Sequence, residues 1–539
     1  MNSANELKIE DKKTGFSKLL AEIPIQVKYA FIFAFIFGYI INLYAFTNII
    51  PNSDGLSRVY DTQQMTVSGR WFLHYVSMLN GYIEAPALIG FLSVLFISVS
   101  SALTVDLLRI ESKICAVLVG ILMVSIPSLA YTYLYMFTAS AYMFAVMLAV
   151  VAVWVTGKYR LGFIPGILVL ALSIGTYQTY ISVAAALALC FIMKEAICGN
   201  DALKKALKQL LMIVAGFVVY WIILKIFLAV KDLQLLSYKN IDSAGSGMTI
   251  GSLIQSVITC YRDAYYYFTK PGEVISYLTK TIVVLNWCTG LVSLFLIVKV
   301  AKIKELHRRP ADIAVFIIAL VLFPLGVNCM LLFSSQAPIM RYAFVYFYIL
   351  VIFLVSIVVK ECEHGNNAYK AFRLVSKAQI CILVVMVLFF AQIDNLAYIE
   401  SETAQRSSER FATTLVSRVE GTEGYYEGME VVVVGTFPSD IYYSDIEAFN
   451  LVKHYSSPSS SIFIENKHIY YYLNDWLNVQ WTEPAEDTFE EVTATTEFQE
   501  MPLYPDSGSV KIIDDKIVVK LSSTYTPKQQ YEIDYENRR

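Results

Sequence analysis

Charged side chains are scarce in this sequence. Asp, Glu, Lys and Arg make up 16% of the 539 residues, hydrophobic residues make up 56%, and the mean hydropathy is +0.54. Soluble globular domains carry about 25% charged residues, so this composition excludes an ordinary soluble protein. Lipid must be the main solvent of the folded chain, and we predict a polytopic α-helical membrane protein.

Motifs for metals and nucleotides are also missing. The eight cysteines are scattered without zinc-ligand spacing, and the sequence has no glycine-rich nucleotide-binding pattern and no internal repeat. None of the cysteines follows Cys381, so no disulfide framework is expected in residues 399–539. Residues 1–28 contain no short apolar core before a small-residue cleavage site, so we expect no cleaved signal peptide.

Long apolar runs define the predicted organisation. A spanning helix needs about 20 apolar residues, and we predict about eleven spans, two of which meet at Gly175 and are nearer 15 residues. The runs are 29–50, 86–108, 114–131, 139–156, 161–175, 178–193, 210–229, 279–298, 313–333, 342–359 and 378–398. This gives three parts: a cytoplasmic tail at 1–28, a transmembrane domain at 29–398 and a C-terminal domain at 399–539.

The distribution of basic residues predicts the orientation. Of the 31 Lys and Arg residues before position 399, 22 fall in the first 28 residues and in alternate loops, and cytoplasmic loops carry such an excess. The N-terminus is therefore expected in the cytoplasm of a multi-pass plasma-membrane protein. Eleven spans then place residues 399–539 outside the cell. If the two short runs at Gly175 formed one re-entrant segment, this region would lie inside.

Residues 399–539 differ sharply in charge from the rest. They contain 25 Asp and Glu but only 11 Lys and Arg, which disfavours binding to nucleic acid or to an anionic membrane surface. The pattern predicts a helix at Glu402–Val419, a buried strand at Glu430–Gly435 and a hairpin at Val510–Leu521. We therefore expect a small extracytoplasmic α/β domain. The amphipathic stretch at 252–271 predicts a helix on the membrane surface.

Residues with catalytic potential concentrate in the first outer loop, residues 51–85. A carboxylate there could act as general base on a hydroxyl group, and guanidinium groups could bind a phosphate. The alternative is that loops between membrane helices are simply where charged residues lie. The candidates in this loop are Asp54, Arg58, Asp61, Arg70 and Trp71.

Two further positions fall on the same predicted membrane face. Gln178, next to Tyr177, needs a partner for its amide in an apolar setting, and hydrogen bonding between helices is the structural alternative. Arg341 begins a membrane helix, where it could bind a lipid phosphate or extend to the headgroups. Because residues distant in sequence converge on one face, we interpret them as one candidate site.

These elements resemble the glucosyltransferase II family of bacterial membrane enzymes, which are associated with glucosylation of O-antigen and similar surface polysaccharides. The resemblance rests on N-S-D-G-L-S-R at Asn52–Arg58, S-G-R-W at Ser68–Trp71, the Tyr177–Gln178 pair and P-x-x-R at Pro338–Arg341. It covers about residues 30–400. The order, spacing and membrane side of the motifs all agree.

The resemblance extends to the C-type glycosyltransferase (GT-C) superfamily, which implies a polyprenyl-phosphate sugar donor and an acidic residue in the first outer loop. Asp54 then takes the place of the loop acid, and Arg58 and Arg70 take the basic positions after it. The family often pairs two acids in this loop. Here Gly55 follows Asp54, so either Asp54 works alone or Asp61 supplies the second carboxylate. A divalent metal, which a close acidic pair would favour, is not favoured.

The sequence therefore predicts a glycosyltransferase. It would move a sugar, glucose by resemblance, from undecaprenyl phosphate to a hydroxyl of a cell-surface glycan in one inverting step. Its expected partners are this donor, the glycan acceptor, the lipid bilayer, and proteins that make and flip the donor. The alternative is a transporter or flippase of lipid-linked glycans, which would be expected to show repeated halves and polar residues near mid-membrane.

Overall fold

The computed structural model describes residues 21–56, 66–235, 249–270, 279–333, 337–363, 372–442, 446–452 and 461–523. The chain is mostly helical within these ranges. Up to residue 420 the main helices, some long and some short, are α1 (Ile25–Thr47), α2 (Pro86–Leu108), α3 (Lys113–Ser125), α4 (Pro127–Tyr133), α5 (Met136–Lys158), α6 (Phe163–Thr176), α7 (Ile181–Cys198), α8 (Ala202–Val230), α9 (Ile250–Thr269), α10 (Lys280–Ile303), α11 (Pro310–Val327), α12 (Val345–Glu363) and α13 (Arg373–Glu420).

Hydrophobicity and length identify which helices can span a membrane. Among the described residues, nine helices are long and apolar enough to cross. The run at 114–131 forms α3 and α4, which are bent by 44° where Pro127 begins α4; proline has no N–H for the helical ladder. The run before Gly175 forms α6, whose rise of about 21 Å falls short of a hydrocarbon core of about 30 Å. The polytopic helical fold is confirmed, and the count of eleven stays a prediction.

The amphipathic stretch is helical, as predicted. Helix α9 begins with a capping box between Thr249 and Ser252, which satisfies amide groups at its N-terminus. The helix is fixed to the end of α11 by reciprocal contacts. The Asn328 amide donates to the Cys260 carbonyl at 3.0 Å, and the Cys260 thiol donates to the Asn328 carbonyl at 3.5 Å. Its position relative to lipid stays a prediction.

The last apolar run continues directly into the C-terminal region, residues 399–539. Helix α13 is 48 residues long and contains both the run at 378–398 and the helix predicted at Glu402–Val419. The sequence pattern indicated two helices because hydropathy falls after residue 398, but the backbone does not break there. The C-terminal region is therefore carried by the last membrane helix without a linker.

A three-stranded sheet forms the centre of the C-terminal region. Its strands are β1 (Glu430–Val434), β2 (Val510–Ile513) and β3 (Lys516–Lys520), in the order β1-β3-β2. Strands β2 and β3 are antiparallel and form the predicted hairpin, while β1 pairs in parallel with β3, with Val432 opposite Val518. The helices around the sheet are α14 (Asn466–Trp476) and α15 (Glu486–Ala494), with short helices at Ser439–Tyr442 and Thr496–Glu500.

The hydrophobic core consists of two clusters, and each cluster includes residues from the other part of the chain. The larger cluster is built from the membrane helices, yet it includes Phe449 and Val452 of the C-terminal region. The smaller cluster surrounds the sheet, yet it includes Leu56 from the loop after α1. The Tyr44 hydroxyl of α1 also donates to the carboxylate of Glu402 in α13. The first loop and the C-terminal region therefore lie at the same end of the helix bundle.

Candidate active site

Arg70 is held by aromatic side chains on two different elements. Its Nη1 donates to the Tyr142 hydroxyl of α5 at 3.0 Å, and its guanidinium lies 4.6 Å from the centre of the Tyr177 ring. The rings of Tyr142 and Tyr177 are themselves stacked at 4.3 Å. A cation over an aromatic face is attracted by the ring quadrupole. These contacts fix the plane of the guanidinium at the junction between α6 and α7.

Gln178 lies at the same junction between α6 and α7 and binds the first loop. Its amide nitrogen donates to the Ser68 carbonyl at 2.7 Å and contacts the Tyr220 hydroxyl at 3.4 Å. The Tyr220 hydroxyl in turn donates to the Gly69 carbonyl at 3.1 Å. Gly69 has a φ of +83°, and a side chain there would collide with the Gln178 amide, so glycine is required for this approach. The interhelical hydrogen bonding foreseen for Gln178 is thus present, and it anchors the S-G-R-W segment.

Arg341 is buried and forms an ion pair that the sequence did not indicate. It lies in the short helical turn Pro338–Phe344 before α12, with 6% of its surface exposed. Its Nη1 contacts the carboxylate of Asp263 on α9. The same turn is joined to the Gln178 turn, because the Thr179 hydroxyl donates to the Met340 carbonyl at 3.1 Å. In this structure the Arg341 side chain is turned to Asp263 and buried, and its role toward a lipid phosphate or the headgroups stays a prediction.

Trp71 is a packing residue in this structure. It is 4% exposed, lies against Gly175 and stacks on Phe227 of α8 at 5.5 Å. The backbone beside it is fixed by the Phe72 N–H, which donates to the Gly175 carbonyl at 2.8 Å. The indole N–H of Trp71 has no acceptor among the described residues. The structure therefore gives Trp71 a clear role in holding the loop on the α6–α7 junction.

Asp54 is exposed on a short helical turn, Ser53–Gly55, at the start of the first loop. The Asn52 side chain caps this turn by accepting from the Gly55 N–H at 3.0 Å, and its amide donates to the Leu134 carbonyl at 2.7 Å. A side chain on Gly55 would come within 2.6 Å of the Phe137 ring at the start of α5. Arg58 and Asp61 lie outside the described residues, so their predicted roles stay predictions.

Helix α5 contacts both the turn that carries Asp54 and the side chain of Arg70. Phe137 lies against the Asp54 turn and Tyr142 binds Arg70, and these two residues are five positions apart on α5. Five residues of α-helix rise about 7.5 Å. The acid and the cation therefore share one end of α5. Within the described ranges, no group of three His, Cys, Asp or Glu side chains is arranged to hold a metal ion.

The sequence missed several residues that complete this site. Asp263 was hidden in a stretch assigned to the membrane surface, and nothing local marks it as the partner of Arg341. The aromatic partners of Arg70 and Gln178 on α5 and α8 looked like ordinary helix residues. Their roles arise only from contacts between elements far apart in the chain. The residues concerned are Asp263, Tyr142 and Tyr220.

Comparison with known proteins gives one assignment. Residues 43–359, more than half of the chain, match the family model described as Glucosyl transferase GtrII. No curated protein and no solved structure matches the chain. The matched range contains all the candidate site residues, from Asp54 to Arg341.

Proposed function

This chain belongs to the GtrII glucosyl transferase family and is a glycosyltransferase, and we propose that it transfers glucose from a polyprenyl phosphate to a hydroxyl of a cell-surface glycan. The observation that carries the proposal is that the family match spans the exposed Asp54, the half-buried Arg70 and the buried Arg341 at one end of the bundle. Undecaprenyl phosphate is the proposed lipid carrier, and O-antigen is the proposed kind of acceptor. The family assignment favours this enzyme over the transporter.

The proposed reaction is a single displacement at the anomeric carbon. The acceptor hydroxyl gives its proton to the Asp54 carboxylate while its oxygen bonds to the anomeric carbon. The bond from that carbon to the phosphate oxygen breaks at the same time, and polyprenyl phosphate leaves with the bonding electrons. Attack opposite the leaving group inverts the anomeric configuration. Asp61 is the proposed second carboxylate.

Arginines are suited to the leaving phosphate because their donors match its oxygens and keep their charge. Arg70 is fixed by Tyr142 and Tyr177, so its orientation is set before a donor arrives. Arg341 is engaged by Asp263 in this structure. We propose that the donor phosphate takes the place of Asp263 on Arg341, so that the buried guanidinium exchanges one anion for another. Arg58 is proposed as a third phosphate ligand.

The contacts of the C-terminal region support the proposed orientation. Leu56, two residues from Asp54, is packed into the core of that region. This contact supports the proposal that the loop after the first span and the chain after the last span share one side, as an odd number of spans would give. Eleven spans meet this condition and ten do not. With the N-terminus in the cytoplasm, Asp54 and the C-terminal region would both face the outside, and the proposed partners are proteins that make the donor and flip it to that face.

Reconstitution tests the proposal directly. The purified protein in proteoliposomes would receive radiolabelled glucosyl polyprenyl phosphate and a cell-surface glycan. We expect label to enter the glycan, polyprenyl phosphate to be released, and the new linkage to have the inverted configuration by NMR. Movement of the labelled lipid between leaflets without cleavage would instead support the transporter.

A further inference from the structure

The turn that carries Asp54 has a second support, which comes from the C-terminal region. The indole N–H of Trp476, at the end of α14, donates to the Leu56 carbonyl at 2.7 Å. The Leu56 side chain is 1% exposed and belongs to the hydrophobic cluster around the sheet. The backbone and the side chain of one residue are thus both held by the C-terminal region, with Trp476 lying 420 positions away.

The opposite end of the turn is held by the membrane domain. Asn52 binds the Leu134 carbonyl at 2.7 Å and caps the turn, as described above. Asn52 and Leu56 are only four residues apart, and Asp54 lies exposed between them. A short segment fixed at both ends has little freedom to rotate. The backbone that carries Asp54 is therefore held from both sides.

Trp476 is itself held in place by contacts within the C-terminal region. Trp476 stacks on Tyr472 at 5.8 Å with 7° between the ring planes. Tyr472 is buried in the core of the C-terminal region, and Phe449 and Val452 of that region pack into the membrane cluster. Trp476 is therefore held by the core of the C-terminal region, and that region is joined to the membrane cluster through Phe449 and Val452.

We propose that Trp476 and Leu56 form a latch through which the C-terminal region positions Asp54 to take the proton of the attacking acceptor hydroxyl. Trp476 acts here as a positioning residue, because it reaches the reaction only through the turn. The inference rests on the proposed role of Asp54 as base. It gives the C-terminal region a part in the chemical step, separate from any binding of the glycan.

The test uses Trp476→Phe in the full-length protein. Phenylalanine keeps an aromatic ring beside Tyr472 and removes the indole N–H, while Trp481→Phe, which makes the same loss of ring size at a buried tryptophan of the same region, is the matched control. A misplaced catalytic group costs up to about 100-fold in rate, and we expect kcat to fall about tenfold or more in Trp476→Phe. The KM for the donor should stay unchanged, because the arginines are untouched. Trp481→Phe should keep the wild-type kcat.

Hydrogen exchange gives a readout that does not depend on activity. The Gly55 amide, bonded to Asn52, should exchange faster in Trp476→Phe and in Leu56→Ala than in the wild type. Unchanged exchange in both variants would show that the latch does not hold the turn. Faster exchange with a wild-type kcat would show that it holds the turn without positioning Asp54. A wild-type rate in Asp54→Asn would instead overturn the proposed base and leave the exchange result standing.

Discussion

Arg341 and Asp263 form an ion pair in which 7% of the arginine side chain and 13% of the aspartate side chain are exposed. The pair joins the turn before α12 to the amphipathic helix α9. Removing one partner of a buried pair leaves an uncompensated charge, which is far more costly than removing both. The contact therefore couples the position of α9 to the site that is proposed to bind phosphate.

We predict that Asp263→Asn destabilises the protein by about 3–5 kcal/mol, because Arg341 is then buried without its counter-ion. The double variant Asp263→Asn with Arg341→Gln should recover most of that stability without recovering glucosyl transfer. Thermal unfolding in detergent, read together with transfer activity, checks both statements. Equal losses in the single and double variants would contradict the coupling.

The second prediction concerns Asp54. Asp54→Asn keeps the size of the side chain and removes its basicity, so transfer should fall by about 10²–10⁴-fold, the usual contribution of a general base. Asp232→Asn, an exposed aspartate after α8, is the matched control and should keep full activity. Both variants should insert into membranes in wild-type amounts. If purified Asp54→Asn transfers glucose at the wild-type rate, another group is the base.

For Asp394 we predict a substitution that stabilises the protein. It is fully buried in α13, and neither carboxylate oxygen has a hydrogen-bond partner among the described residues. A buried carboxylate without a partner is costly, so Asp394→Asn should raise the melting temperature. Asp312→Asn should lower it, because Asp312 accepts from Arg309 at 2.9 Å. A lower melting temperature for Asp394→Asn would show that this carboxylate is stabilising.

The fourth prediction tests orientation. Protease added to intact spheroplasts should remove the C-terminal region, because the proposed odd number of spans and cytoplasmic N-terminus would place it outside. Proteolysis is followed with antibodies against the region and against a cytoplasmic loop as control. A C-terminal region that is protected until the cells are lysed would reverse the topology and the proposed side of the reaction.

Sequence patterns captured what depends on local composition. The apolar runs correspond to helices because lipid and core both select for them, and the valine strand and the hairpin around Asp514 follow from alternation and turn chemistry. Asp54 and Arg70 were predicted as site residues because they stand near each other in one loop. The continuity of α13 was missed because hydropathy reports the solvent of a helix and not where its backbone ends.

The long-range contacts had no local signal. Asp263 meets Arg341 across 78 positions, and Trp476 meets Leu56 across 420. Each of these residues would be unremarkable on its own element. Only the packing of helices that are distant in the chain brings them together, so a single sequence cannot single them out.

The latch between Leu56 and Trp476 also sets an order of events during biosynthesis. Translation proceeds at about 5–20 residues per second, so Trp476 is made roughly 20–80 s after Leu56. Through this interval the turn that carries Asp54 lacks its contact with Trp476, and in the proposed arrangement the acid is not yet positioned. Chains that stop early, or that fail to export their final segment, never complete the arrangement. Full activity is thereby reserved for molecules whose synthesis and translocation are finished.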